Sequence, residues 1–325
     1  MSAIRELVPG LLVLTVLAGL ARVVGSVTPL SPLVVAIASG VVVASVVGAP
    51  EWAEAGIDRH KLLLETGIVL LGAQLTVGQL VGTGPLVVGL AFGVVVLGVL
   101  FVEFVGKQAG IESRTRSLLA AGASICGVSA VLAVAGSIDG DEADISYAAG
   151  TVLLFDAITL VLFPIVGSAL GLPDRTFGVW AGLSLFSTGP TAAVGFAVSE
   201  TAGQWATITK LVRNTFIGVL AVGYAIYYTN GGGRADPTEI WYRFPKFLVG
   251  FLLVAVIVNL GVVDAGTQAT IGTVGDWLFA LAFVGLGFEL NPRRLRATGI
   301  RPILVVLAQF LTVSLLALGA VTLVL

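Results

Sequence analysis

From Leu86 to Val102 the chain reads LVVGLAFGVVVLGVLFV, with no polar side chain in the run. Similar apolar runs recur from end to end, and most reach the ~20 residues that a bilayer-spanning helix needs. Only 11% of the 325 residues are charged and 57% are hydrophobic, where a soluble domain carries ~25% charged residues. The chain therefore reads as an all-α polytopic membrane protein. Its 42 glycines suit a helix bundle in lipid, where small residues let helices approach closely. One cysteine and one histidine exclude an internal disulfide and a Cys/His metal cluster. Residues 7–25 read as a first span, with no cleavage site for a signal peptide evident.

The hydropathy pattern predicts 11 transmembrane helices, at about 7–25, 31–49, 61–80, 84–106, 115–137, 146–170, 175–199, 204–229, 244–263, 271–290 and 301–325. With the N-terminus cytosolic and the C-terminus outside, fourteen of the seventeen basic residues fall in inside segments. Arg59 and Lys61, Lys107, Arg114 and Arg116, and Arg293, Arg294, Arg296 and Arg301 are among them. Arg22 sits near the end of the first span. The loop 138–145, placed outside, is acidic, with Asp139, Asp141, Glu142 and Asp144. The excess of Lys and Arg on one side sets this orientation in a cell inner or plasma membrane.

LGAQLTVGQLVGTG (71–84) and LGFELNPRRLRATG (286–299) align without a gap and share Leu71/Leu286, Gly72/Gly287, Leu75/Leu290, Leu80/Leu295, Thr83/Thr298 and Gly84/Gly299. Upstream, 32–48 roughly matches 245–261. Spans two to four thus correspond to spans nine to eleven, and an offset of seven spans inverts them. Inverted repeats are a signature of secondary transporters, with a likeness of composition in Leu/Gly-rich helices as the bland alternative. The domain reading is 1–30 first span, 31–106 repeat A, 107–229 central helices with the candidate site, 230–243 cytosolic linker and 244–325 repeat B.

The middle spans carry the chemistry. In AGASICGVSAVLAVAG (121–136), small residues replace bulk and glycine lowers helix propensity by up to ~1 kcal/mol. Irregular backbone at membrane depth survives only inside protein or against a wet cavity. The stretch 122–129 therefore reads as an interrupted helix, with a tight packing face as the bland alternative. In LSLFSTGPTAAVG (183–195), Gly189-Pro190 predicts a kink or an unwound site. In QWATITKLVRNTF (204–216), Lys210 and Arg213 share a helix face near the midplane, where a charge costs at least ~2.5–3.5 kcal/mol. Arg213 needs a carboxylate, carbonyls or a ligand there, and Asp156 is the expected charge partner. Two cations against one deep carboxylate point to an anionic substrate. His60, beside Arg59 and Lys61, reads as solvated.

ASICGVSA (123–130), WAGLS (180–184), GFAVSE (195–200) and ITKLVRN (208–214), in that order, resemble the YeiH family, described as candidate sulfate exporters. The resemblance covers roughly 30–325. It implies a distant similarity to the bile-acid/sodium symporter superfamily, and with it inverted repeats, crossed broken helices and alternating access. Family members typically carry a His and an acidic residue after the Ser of the Trp-Ala-Gly segment. Here those positions are Phe186 and Ser187, so coupling through such a pair is absent.

The expected function is a secondary transporter of a small anion, sulfate-like or a sulfonate or carboxylate. The alternatives are a sodium-coupled organic-anion symporter and a passive anion channel. Substrate-binding residues are expected among Ser124, Cys126, Gly127, Ser129, Ser184, Ser187, Thr188, Thr191, Lys210, Arg213 and Asn214. No catalytic residue, metal or cofactor is expected, and no nucleotide loop or nucleophile–His pair suggests an enzyme. The expected partners are the anion, the bilayer and a coupling ion (Na+ or H+), with a homodimer left open and no nucleic acid.

Overall fold

The computed structural model describes residues 2–28, 31–48, 50–74, 77–138, 140–228, 246–289 and 300–325, with the helical course alone for 2–5 and 77–83. Among these residues the chain is helical, without a strand. Six helical stretches are long and apolar enough to cross a membrane: Glu6–Val27, Gly84–Gln108, Glu142–Ala169, Glu200–Tyr228, Ala265–Glu289 and Ile300–Val324. The helices form two compact units, Met1–Gly84 with Lys246–Arg294, and Pro85–Pro245 with Leu295–Leu325. The linker 230–243 and most of the arginine-bearing turn at 291–301 lie outside the described residues.

The first unit holds α1 (Ser2–Val27), α2 (Pro32–Val46), α3 (Glu51–Ile57), α4 (His60–Leu71) and the start of α5 (Val77–Gln108). The late helices α13 (Lys246–Asn259) and α14 (Ala265–Glu289) complete it. The short α3 is an element the hydropathy reading does not contain. Helix α14 packs on α1, α2 and α4, and α13 packs on α4. Two glycines set the closest approaches. Gly72, just past α4, lies against the Phe251 carbonyl of α13, and Gly287 of α14 lies against the Ile37 carbonyl of α2. A β-carbon at either place would collide with backbone, which is how small residues bring membrane helices together.

The second unit continues with the rest of α5, α6 (Ser113–Ser124), α7 (Val128–Ile138), α8 (Glu142–Ala169), α9 (Asp174–Ser184), α10 (Thr188–Val198), α11 (Glu200–Asn214), α12 (Ile217–Tyr228) and α15 (Ile300–Val324). Here the fifth and seventh expected spans are corrected: neither is one continuous helix. A β-carbon on Gly122 of α6 would lie 2.8 Å from Val131 Cγ2 of α7, and one on Gly140 would lie 3.5 Å from Leu118 Cδ1. A straight helix would hold residues 118 and 140 ~33 Å apart. So α6 and α7 fold back into a hairpin. Likewise Gly178 of α9 and Gly195 of α10 both press on the Ala202–Ala206 stretch of α11, although a straight helix would separate them by ~25 Å. Each arm has 11 or 12 residues, ~17 Å of helix, about half of a ~30 Å hydrocarbon layer.

Contacts along α8 fix the directions. Thr115 at the start of α6 hydrogen-bonds Asp144 at the start of α8, and Gly122 faces Val152, so α6 and α8 run parallel. Phe163 stacks on Trp180 with ring centroids 4.0 Å apart, while Phe155 meets Phe186, so α8 and α9 run antiparallel. The two hairpins therefore enter from opposite ends of this unit and meet at their tips. Asp141, Glu142 and Asp144 lie at the same end as Arg114 and Arg116, which corrects the placement of these acidic residues on the opposite side. Glu103 of α5 ties this end together, accepting from Arg116 Nε at 2.6 Å, Ser117 Oγ at 2.7 Å and the Tyr224 hydroxyl at 2.8 Å.

Candidate functional site

The hairpin tips are built by two different backbone devices. Helix α6 ends at Ser124, and Gly127 takes φ +71°, a left-handed conformation that glycine adopts without the Cβ penalty. The Gly127 N–H closes the turn on the Gly122 carbonyl at 2.9 Å. Helix α9 ends at Ser184, and Leu185 is extended (φ −72°, ψ 153°). Gly189-Pro190 then falls in the first turn of α10 rather than inside a continuous helix. Proline is tolerated there because its missing N–H has no intrahelical partner to lose. The pair starts a helix instead of kinking one.

Lys210 and Arg213 of α11 reach both tips. Lys210 Nζ donates to the Ile125 carbonyl at 2.6 Å and the Leu185 carbonyl at 2.7 Å. Arg213 Nη1 donates to the carbonyls of Gly182, Leu183 and Leu185 at 3.1, 2.7 and 2.9 Å, and Nη2 donates to the Ser124 carbonyl at 2.7 Å. Lys210 is 0% and Arg213 1% exposed. The electrostatics follow from helix direction. Helices α6 and α9 both bring C-terminal carbonyl ends to the tips, where a helix carries about half a negative charge. Those ends solvate the two cations in place of water.

The expected pairing of Asp156 with Arg213 is corrected by this geometry. Neither Lys210 nor Arg213 makes an ion pair among the described residues; their hydrogen bonds end on carbonyl oxygens. Asp156 Oδ1 instead accepts the Ser187 N–H at 3.1 Å, at the N-terminal end of α10, where negative charge is favoured. Asn214 Nδ2 donates to Thr188 Oγ1 at 3.0 Å, and Ser187 packs against Gly127 across the junction of the tips.

The fold thus gathers Ser124, Gly127, Ser187, Thr188, Lys210, Arg213, Asn214 and Asp156 around one centre, with Cys126 buried in the first tip. Ser184 is buried, and its Oγ has no hydrogen-bond partner among the described residues. Thr191 bonds back to the Ser187 carbonyl at 2.7 Å within its own helix. Ser129 is exposed on α7 and stands outside the cluster. The sequence reading allowed carbonyl partners for Arg213 but did not say which carbonyls. A signal for them exists: Ala121-Gly122-Ala123-Ser124-Ile125 and Ala181-Gly182-Leu183-Ser184-Leu185 repeat one small-residue pattern at the two arm ends.

The family model described as "Conserved hypothetical protein 698" matches residues 9–306. The chain belongs to this family, UPF0324. It is the YeiH family that the tip motifs resemble, and the match covers both UPF0324 hairpins. A UPF0324 membrane protein of Rhodopirellula baltica is 31% identical over 273 residues, 79% of this chain and 50% of the relative. One from Nitratidesulfovibrio vulgaris is 28% identical over 318 residues, covering 92% and 88%. The UPF0324 membrane protein TauZ of Paracoccus denitrificans is 27% identical over 274 residues, covering 80% of each. The chain spans half the length of the Rhodopirellula relative and most of the other two. No solved structure matches. The relatives' names and the apolar helices make UPF0324 a multi-pass membrane family.

Proposed function

We propose that this protein is a secondary transporter of a small anion, sulfate-like or a sulfonate or carboxylate, working by alternating access. The observation that carries the reading is the pair of opposed hairpins whose tips enclose Lys210 and Arg213. A break that served only for packing would not need two buried cations. With Asp156 beside them, the centre holds two positive groups against one carboxylate, and the surplus favours an anion. The N-terminal ends of α7 and α10 lie at the same tips and add partial positive charge.

Two relationships support an inverted architecture. Gly72 on Phe251 and Gly287 on Ile37 are similar contacts, one residue out of register in the alignment, with each aligned segment facing the counterpart of the other. The hairpins form a second pair, with the matching Ala-Gly-x-Ser ends entering from opposite sides. In this reading the expected spans reduce to nine crossings and two hairpins. The N-terminus stays cytosolic and the C-terminus outside, because removing two crossings preserves parity. Only Arg175 leaves the basic side, so thirteen of seventeen basic residues remain there, fourteen less one.

The test is counterflow in proteoliposomes with labelled sulfate, sulfite, sulfonates and carboxylates. Exchange of one of these anions, abolished by Arg213→Ala in folded protein, is the expected result. Exchange that survives Arg213→Ala removes the tip centre from the mechanism. Sodium-dependent flux would favour the symporter, and ohmic single-channel currents would favour a pore.

A further inference from the structure

Helix α15 runs past both hairpin tips. Phe310 meets Phe186 of the second tip, with ring centroids 5.7 Å apart. Its neighbour Gln309 reaches the first tip across Gly98 of α5. A β-carbon on Gly98 would lie 2.6 Å from Ser124 Oγ and 2.9 Å from Gln309 Nε2. Ser124 is 0% and Gln309 1% exposed. Yet Ser124 Oγ and Gln309 Oε1 have no hydrogen-bond partner among the described residues. Buried polar groups nearly always find a partner, because leaving one unpaired is costly. Two such groups against one bare glycine call for a partner from outside the chain.

This place adjoins the cationic centre. The carbonyl of the same Ser124 accepts from Arg213 Nη2 at 2.7 Å. Arg213 Nε and Asn214 Oδ1 are likewise buried without a partner among the described residues. The unpaired atoms are of mixed kind. A guanidinium N–H only donates, an amide has a donor end and an acceptor end, and a hydroxyl does both. A bare oxyanion such as sulfate only accepts, so it leaves the amide acceptors unmatched. An ammonium group would match them but would add positive charge beside Lys210 and Arg213. A hydroxyl accepts from Ser124 or from the Gln309 amide and donates to the amide oxygen, without adding charge. This holds for either orientation of the amide.

We propose that Gln309, with Ser124 and the bare face of Gly98, is a specificity seat for the hydroxyl of a hydroxylated anion, whose charged head is held at the Lys210–Arg213 centre. The seat deepens the small-anion reading of that centre and rests on it. Gly98 keeps the seat open, and α15 joins the two hairpins in forming the site.

The test is calorimetric binding to the full chain in detergent, with two pairs of probes that differ by one hydroxyl. These are 2-hydroxyethanesulfonate against ethanesulfonate, and glycolate against acetate. In the wild type the hydroxylated member should bind about tenfold tighter or more. Gln309→Leu keeps the bulk and removes both amide ends. It should unfold at a temperature no lower than the wild type, and the hydroxylated probe should fall to the level of its plain partner. Gly98→Ala, which pushes a methyl group into the seat, should also erase the preference. Gly93→Ala, on the same helix with nothing within 4 Å of the added carbon, should keep it. Equal binding within each pair, or a preference that survives Gln309→Leu, would overturn the seat. If the plain probes bind and Arg213→Ala abolishes that binding, the small-anion reading outlives such a failure. If no probe binds, both fall.

Discussion

Thr115 and Asp144 are hydrogen-bonded although 29 residues separate them in the chain. One opens α6 and the other opens α8, so the segment between them must leave and return to the same end of the unit. This places a hairpin where the hydropathy of residues 115–137 suggests a crossing.

A cross-link tests that geometry directly. In a Cys126→Ala background, Thr115→Cys with Asp144→Cys should form a disulfide readily under mild oxidation, seen as a mobility shift on non-reducing gels. If residues 115–137 crossed the membrane, the two thiols would lie on opposite faces, and no shift would appear.

Arg213 holds four carbonyl oxygens of two hairpins. Arg213→Ala should leave buried acceptors unpaired, at about 1–3 kcal/mol for each one that finds no substitute. The expected result is a lower unfolding temperature in detergent together with loss of anion exchange. Arg213→Lys should recover only part of either, because one ammonium cannot reproduce the planar fork of donors. Full recovery by lysine would show that charge alone suffices.

Gly127 sits at φ +71° with Ser187 against it. Gly127→Ala should cost roughly 1–2 kcal/mol for the backbone alone, plus the collision with Ser187. Adding Ser187→Gly should recover the collision and leave the backbone cost. Thermal unfolding of the single and double variants separates the two contributions, and a neutral Gly127→Ala would contradict the tip geometry.

Asp264 precedes α14 and accepts from Thr267 Oγ1 at 2.6 Å and from the Gly266 and Thr267 amides at 3.0 Å each. The Thr267 side chain, first, and these amides hold its carboxyl below the usual carboxylate range. Its contribution is complete above the unfolded value of ~3.9 and is lost as pH falls through the folded one. Hydrogen exchange at 265–268 should therefore quicken below about pH 4, and Asp264→Ala should remove that pH dependence.

How much of this was legible follows from where each signal lives. The interruptions at 122–129 and 184–191 are local, because glycine, proline and small side chains weaken a helix where they stand. The direction taken after an interruption is not local, since both arms of a hairpin have the same composition as a bent span. Charge could not repair this. Orientation follows Lys and Arg while Asp and Glu contribute little, so the acidic loop 138–145 was free to sit on either side. His60, expected in solvent but 6% exposed, hid for a similar reason: its partner Glu289 is 229 residues away, and nothing beside it in the chain announces burial. The two cations were visible from the cost of placing them at depth. Carbonyls were one of the partners foreseen for them, but which carbonyls could not be read, because a backbone oxygen has no letter in a sequence.

The guanidinium of Arg213 has one further consequence. Its nitrogens grip oxygens from both hairpins while the side chain itself belongs to α11, so, with Lys210 beside it, it rivets the three elements together. To part the tips, four bonds to a desolvated ion must open together. Thermal motion will sooner carry hairpins and helix along as one stiff piece than pry them apart.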